Sequence, residues 1–189
     1  MPLTAIDERT ALVAIDLQKG IVSIPAAHPI EEVVERAAGL AAAFRRHDLP
    51  VVLVNVAGRA PGRTAAGAAA PAAAAAPDWT EIVPELGAQP SDLRITKHVW
   101  GAFHGTELDA RLRALGVTQV VLAGVSTSIG VETTARSAYE HGYNVALATD
   151  AMTDRDPAAH ENSVERIFPR LGEPGTTAEI IELLEQRRG

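Results

Sequence analysis

Short apolar runs separated by helix-period segments organise the chain. Thr10 to Asp16 (TALVAID), Pro50 to Val56 (PVVLVNV), Thr118 to Gly124 (TQVVLAG) and Tyr143 to Asp150 (YNVALATD) are apolar almost throughout, and Asp92 to Lys97 (DLRITK) is a weaker example. Runs of this length that are apolar on both faces predict parallel strands covered on both sides. The intervening segments change period. Ile30, Val33, Val34, Ala37, Leu40, Ala41 and Phe44 recur at helical spacing. TELDARLRALG predicts a helix capped by Thr106 and stopped at Gly116, SIGVETTARSAYEHG one that ends at Gly142, and TTAEIIELLEQRR a third behind a Thr cap. Alternating strand and helix predicts an α/β fold: a three-layer α/β/α sandwich on a mostly parallel, Rossmann-like sheet. The right-handed crossover rule removes most other topologies.

One stretch breaks the alternation. Ala57 to Trp79 is alanine-rich, which alone favours helix, but Pro61, Pro71 and Pro77 and three glycines interrupt it. It predicts a long loop, either a mobile element bringing Arg59 and Arg63 to a ligand or a solvated low-complexity insertion. The remainder of residues 1–189 fits one domain.

Charge and composition narrow the partners. A net charge of −7 with scattered basic residues argues against nucleic acid, which needs a concentrated basic face. No apolar run approaches the length of a membrane span, and MPLTAIDERT has no signal-peptide pattern. The expected location is the cytoplasm and the expected partner a small molecule. The chain has no cysteine, hence no disulfide and no thiolate metal site. His98, His104, His141 and His160 are scattered and read as polar or capping residues, so no metal and no cofactor are expected.

In an open parallel sheet, ligands gather beyond the carboxyl ends of the strands. Asp16, Lys97, the turn Gly124–Gly130 and Asp150 all fall at such ends. Taken singly, each Asp reads as a turn or cap residue and Lys97 as a surface lysine. Taken together they outline a site.

Three segments resemble the isochorismatase-like hydrolase superfamily: AIDLQKGIV, ITKHVWGAFHGTELDARLRALGV and LAGVSTSIGVETTARSAYEHGYNVALATDAMTD. The resemblance implies a catalytic set of Asp16 and Lys97, with Gly130 at the position where most members carry a nucleophilic cysteine. It also implies a cis peptide at Val125–Ser126 and assembly into a homodimer or homotetramer. Without a thiolate, no covalent intermediate forms by the usual route. Ser128 lies two residues short of the nucleophile's seat and should point elsewhere.

The superfamily's true isochorismatases resemble this chain in having glycine at that seat, and they cleave a vinyl ether. Such chemistry needs a general acid, for which Asp16 is the natural candidate. Gly130 then leaves room for substrate beside backbone amides that favour an anion. Lys97 should depress the pKa of Asp16, an effect substrate carboxylates would offset. Gln18, Trp100, Phe103, Val125, Ser126 and Ile129 are the expected substrate-binding residues, with core packing the equal alternative for Trp100 and Phe103. The expected activity is hydrolysis of a small carboxylate-bearing substrate. Two alternatives stay open at this level: a catalytically silent binder or assembly partner, and an amidohydrolase with a non-cysteine mechanism.

Overall fold

A computed structural model describes residues 3–65 and 76–187. The apolar runs form strands β1 (Thr10–Ile15), β2 (Val51–Val56), β3 (Leu93–Lys97), β4 (Gln119–Val125) and β5 (Asn144–Thr153), and a short β6 (Glu173–Gly175) completes the sheet. The strand order is β3-β2-β1-β4-β5-β6 and every pairing is parallel. The chain winds outward from β1 through β2 and β3, then returns to β1's other side with β4. The direction of winding therefore reverses between β1 and β4, and a crevice opens beyond their carboxyl ends.

The side-chain alternation of β1 divides the core in two. Leu12 and Ala14 pack beneath helices α2 (Ile30–Arg46) and α6 (Thr177–Gln186). Ala11, Val13 and Ile15 face α3 (Leu108–Ala114) and α4 (Glu132–Glu140) on the other side. The expected three layers follow. Phe44, fully buried on α2, contributes roughly 2–3 kcal/mol by leaving water. A four-residue α1 (Lys19–Val22) and α5 (Pro157–Asn162) carry the connections beyond β1 and β5.

Local chemistry sets the boundaries. Thr176 and Glu179 form a reciprocal capping box at the start of α6. Thr106 accepts the Leu108 amide through its hydroxyl, one residue ahead of Glu107, which occupies the N-cap position of α3 without a side-chain capping bond. The segment expected to be helical from Ser128 instead begins with a π-helical turn, Thr127–Val131, before α4.

Strand β5 continues past Asp150, contrary to the expectation that Asp150 closes it. The β4–β5 register shifts between Leu122 and Gly124, so Gly124 pairs with Met152. Asp150 binds the Thr177 amide (2.7 Å) and hydroxyl (2.8 Å) at the head of α6. It is a structural cap rather than a site residue. Of the alanine-rich loop, residues 66–75 lie outside the described residues, so its expected role as a lid or contact arm has no structural counterpart here.

Candidate functional site

Asp16 follows β1 at the switch point. Its amide still donates to Val54 O in the ladder (2.9 Å), while its φ of 51° turns the chain away from the sheet. Asp tolerates this left-handed conformation better than most non-glycine residues. Lys97 closes β3, two strands away, and its ammonium spans β2 to reach Asp16 Oδ2 at 2.7 Å. A second bond runs from Lys97 Nζ to Val99 O (3.2 Å). Lys97 is 1% exposed and Asp16 is 6% exposed. Asp16 Oδ1 is buried and has no hydrogen-bond partner among the described residues, a condition that is rare and unfavourable for a buried oxygen.

Burial pushes the Asp16 carboxyl up to about 6, and the charge and hydrogen bond of Lys97 pull against that shift without cancelling it. This reverses the expected direction. The sequence placed a lysine beside the acid but could not show how completely both are withdrawn from water.

Gly130 faces this pair from the π-turn. A Cβ at residue 130 would lie 3.4 Å from Asp16 Oδ2, 3.3 Å from Val125 O and 3.1 Å from Ile15 Cγ2. A side chain here would crowd Ile15 and the Val125 carbonyl and come into van der Waals contact with the carboxylate. The Val125–Ser126 peptide is cis. Ser126 O accepts the amides of Ile129 (3.2 Å) and Val131 (3.1 Å), which winds the turn. Ser128 points away from Asp16: its amide and hydroxyl both bind Asp154 Oδ2 at 2.8 Å. Thr127 is tied to His160 Nδ1 at 2.9 Å. Burial, followed by the neighbouring His28 charge, lowers the pKa of His160.

The structure thus brings Asp16, Lys97 and Gly130 together. Val125 and Ser126 adjoin them and line a small cleft of about 40 Å³ with Ile21, Ile24 and Arg155, behind which Asp16, Lys97 and Gly130 lie buried without lining it. Ile129 and Trp100 are exposed on the same end of the molecule, at 38% and 58%. Two expected substrate contacts go elsewhere. Both N–H groups of Gln18 donate to backbone carbonyls, those of Val56 (3.1 Å) and Trp79 (3.0 Å), and its oxygen accepts the Val56 amide (2.7 Å). Gln18 therefore clasps the two ends of the alanine-rich segment. Phe103 is 7% exposed and packs on His141 and Tyr143, at the end of α4 and the start of β5. That is the sheet end opposite Asp16, so Phe103 is core.

Sequence reasoning missed Asp154, Arg155 and Thr134. Their only signal was position, just after a strand or inside the helix that follows the turn. A wider cleft of about 810 Å³ lies at the amino ends of the strands, lined by Arg9, Thr10, His47, Pro50 and Val117 among others. It is remote from the carboxylate, and volume alone does not make it the site of chemistry. No group of three or more potential metal ligands from His, Cys, Asp and Glu occurs among the described residues, and no described helix is long and apolar enough to cross a membrane.

A doubly wound sheet with a buried acid–lysine pair at its switch point, faced by a strand-to-helix turn, is the frame of a Rossmann-like three-layer hydrolase. The chain belongs to the isochorismatase family, whose Isochorismatase domain matches residues 10–179. It is 43% identical over 180 residues to the uncharacterized isochorismatase family protein YecD of Escherichia coli O157:H7, covering 93% of this chain and 96% of that one. It is 29% identical over 190 residues to the maleamate amidohydrolase of Pseudomonas putida, covering 96% and 89%. Among solved structures, an isochorismatase family protein from Burkholderia thailandensis superposes with a TM-score of 0.91 at 42% identity, covering 96% of this chain and 98% of that one.

Proposed function

We propose that this hydrolase cleaves a small carboxylate-bearing substrate through Asp16 acting as a general acid, with no covalent nucleophile. The observation that carries the reading is the state of Asp16. Lys97 occupies Oδ2, leaving the buried, unpartnered Oδ1 as the oxygen that holds a transferable proton. Burial raises the carboxyl to about 6, which puts a useful protonated fraction near neutral pH. The residue facing the pair, Gly130, offers no nucleophilic atom, and the nearby hydroxyl of Ser128 is committed to Asp154.

These features suit an enol ether. The Asp16 proton transfers to the terminal enol carbon, water adds to the resulting oxocarbenium carbon, and the hemiketal collapses to an alcohol and a ketone. Water returns the proton to Asp16. Lys97 balances the charge left on the carboxylate. The substrate's own carboxylate lies towards Gly130 and the turn backbone.

The maleamate amidohydrolase relative keeps amides in view as a substrate class, and the test covers both. Purified protein is assayed on isochorismate and on a panel of small acid amides, alongside Asp16→Asn. Turnover of the enol ether that is lost in Asp16→Asn, with an unchanged circular dichroism spectrum, is the expected result. Retained activity in Asp16→Asn removes the acid role. Binding without turnover in the wild type favours a silent binder.

A further inference from the structure

The two halves of the site arrive on separate elements. Lys97 comes from β3 and the segment that follows it, and Gly130 comes from the turn before α4. A single fully buried hydroxyl joins them. Thr134 Oγ1 accepts the Ala102 amide at 3.1 Å and donates to Gly130 O at 2.7 Å. A threonine that bonds back to the carbonyl four residues earlier is a common helical habit. Accepting an amide from a distant loop at the same time is not part of that habit.

An independent observation puts the same loop flush against α4. A Cβ at Gly101 would sit 2.9 Å from Thr133 Cγ2, so the backbone approaches the helix as closely as glycine allows. Within that loop Val99 supplies the carbonyl that holds Lys97 Nζ, whose other partner is Asp16.

We infer that Thr134 is a positioning residue: its hydroxyl docks the segment after β3 onto α4 and so fixes Lys97 against Asp16 while holding the Gly130 turn. The path runs from Thr134 through the Ala102 amide to the short loop whose Val99 carbonyl aims the ammonium, and through Gly130 O to the turn. Thr134 touches neither Asp16 nor Lys97, so its influence is on their geometry. The inference concerns the site underlying the proposed function, but its readout does not need turnover.

The test is the titration of Asp16, followed by carboxyl carbon NMR of the full chain labelled at aspartate and assigned with Asp16→Asn. An opposite charge within a few ångströms lowers a carboxylate pKa by about 1–3 units, so loosening Lys97 moves the Asp16 midpoint upward. Thr134→Val removes the hydroxyl while keeping the shape, and is expected to raise the midpoint by about one unit, part of that range. Thr134→Ser keeps the hydroxyl and is expected to titrate like the wild type. An unchanged midpoint in folded Thr134→Val overturns the inference. So does a midpoint in Thr134→Ser displaced as far as in the Val or Ala variant, because the missing methyl would then be the cause. Should Thr134→Val fail to fold, Thr134→Ala gives the same comparison with Ser. Should turnover be found, the falling limb of kcat/KM against pH moves up with the midpoint in the hydroxyl-free variants and stays in place in Thr134→Ser. Failure of Asp16→Asn to abolish turnover would defeat the general-acid reading without altering this titration.

Discussion

At the scale of the residue, the behaviour of Asp16 follows from two opposed effects, and their balance gives the sign of every pH prediction. Burial favours the neutral acid, Lys97 favours the carboxylate, and burial is the larger. Activity that needs the protonated form falls as pH rises through about 6, measured as kcat/KM against pH. Lys97→Met removes the opposing charge, so the falling limb moves to higher pH; movement to lower pH would contradict the assigned causes. Stability is linked with the same sign. The native state retains a proton that the unfolded chain releases near 4, so this group's contribution is complete below that pH and is lost on passing through about 6. Urea midpoints across that window register it, and Asp16→Asn flattens the response. At Gly130, even a methyl group meets the carboxylate oxygen and Ile15. The room for substrate expected beside Gly130 is thus taken up by Ile15, Val125 and Asp16; Gly130→Ala is expected to lower turnover by disturbing the Asp16–Lys97 geometry, while Gly130→Cys tests whether the remaining machinery can perform amide hydrolysis with a thiolate.

At the scale of the element, β1, β2, β4 and the start of β5 were legible because burial on both faces leaves near-continuous aliphatic runs, the edge strand β3 with its exposed Arg94 and Thr96 was fainter, and α2 was legible because its apolar stripe is continuous from Ile30 to Phe44. Helix α6 was legible from its Thr cap and apolar period, but the short elements between β5 and α6 were not. Strand β6 is three residues with a central proline, too short to show a period. The π-turn differs from an α-helix only in hydrogen-bond register, which side-chain periodicity does not report. The β5 irregularity was equally hidden, since Asp150 ends an apolar run whether or not the strand stops there. Two substitutions test these elements. Thr176→Ala breaks the α6 capping box and should cost about 1 kcal/mol in chemical denaturation. Gly124, at φ 121°, lies where a Cβ would fall 2.0 Å from Ile15 O. Gly124→Ala is therefore expected to exceed the usual loss of about 0.5–3 kcal/mol for a point substitution, because β1 and β4 must separate at the crevice itself.

At the scale of the whole molecule, the sheet order explains why three residues separated in sequence share one end of the fold. Each belongs to the carboxyl end of a parallel strand or to the turn after one, and the reversal between β1 and β4 concentrates those ends. That much could be read from Asp16, Lys97 and the glycine-bearing turn. The sequence could not tell which polar side chains face the crevice and which face backbone. Gln18 is two residues from Asp16 and Phe103 six from Lys97, yet one is consumed by carbonyls and the other lies in the core at the far end. Gln18→Ala removes three hydrogen bonds, leaving the Val56 amide without its partner while Trp79 O keeps the Gly20 amide. Given about 1–3 kcal/mol for an orphaned buried group, it should lower the melting temperature measurably.

The clasp made by Gln18 also bears on how this chain tolerates change. Val56 and Trp79 are pinned to the same side chain, and that side chain sits on the strand end that carries the acid. Just inside those points, Ala57 still donates to Lys97 O (2.9 Å) and Asp78 pairs with Lys19 (2.9 Å), so a change that keeps these anchors is expected to leave the carboxylate undisturbed. The clasp thus makes the tolerance of the intervening stretch to sequence change depend on two fixed anchor points rather than on its own composition, with Asp16 held in register by the strand beside them.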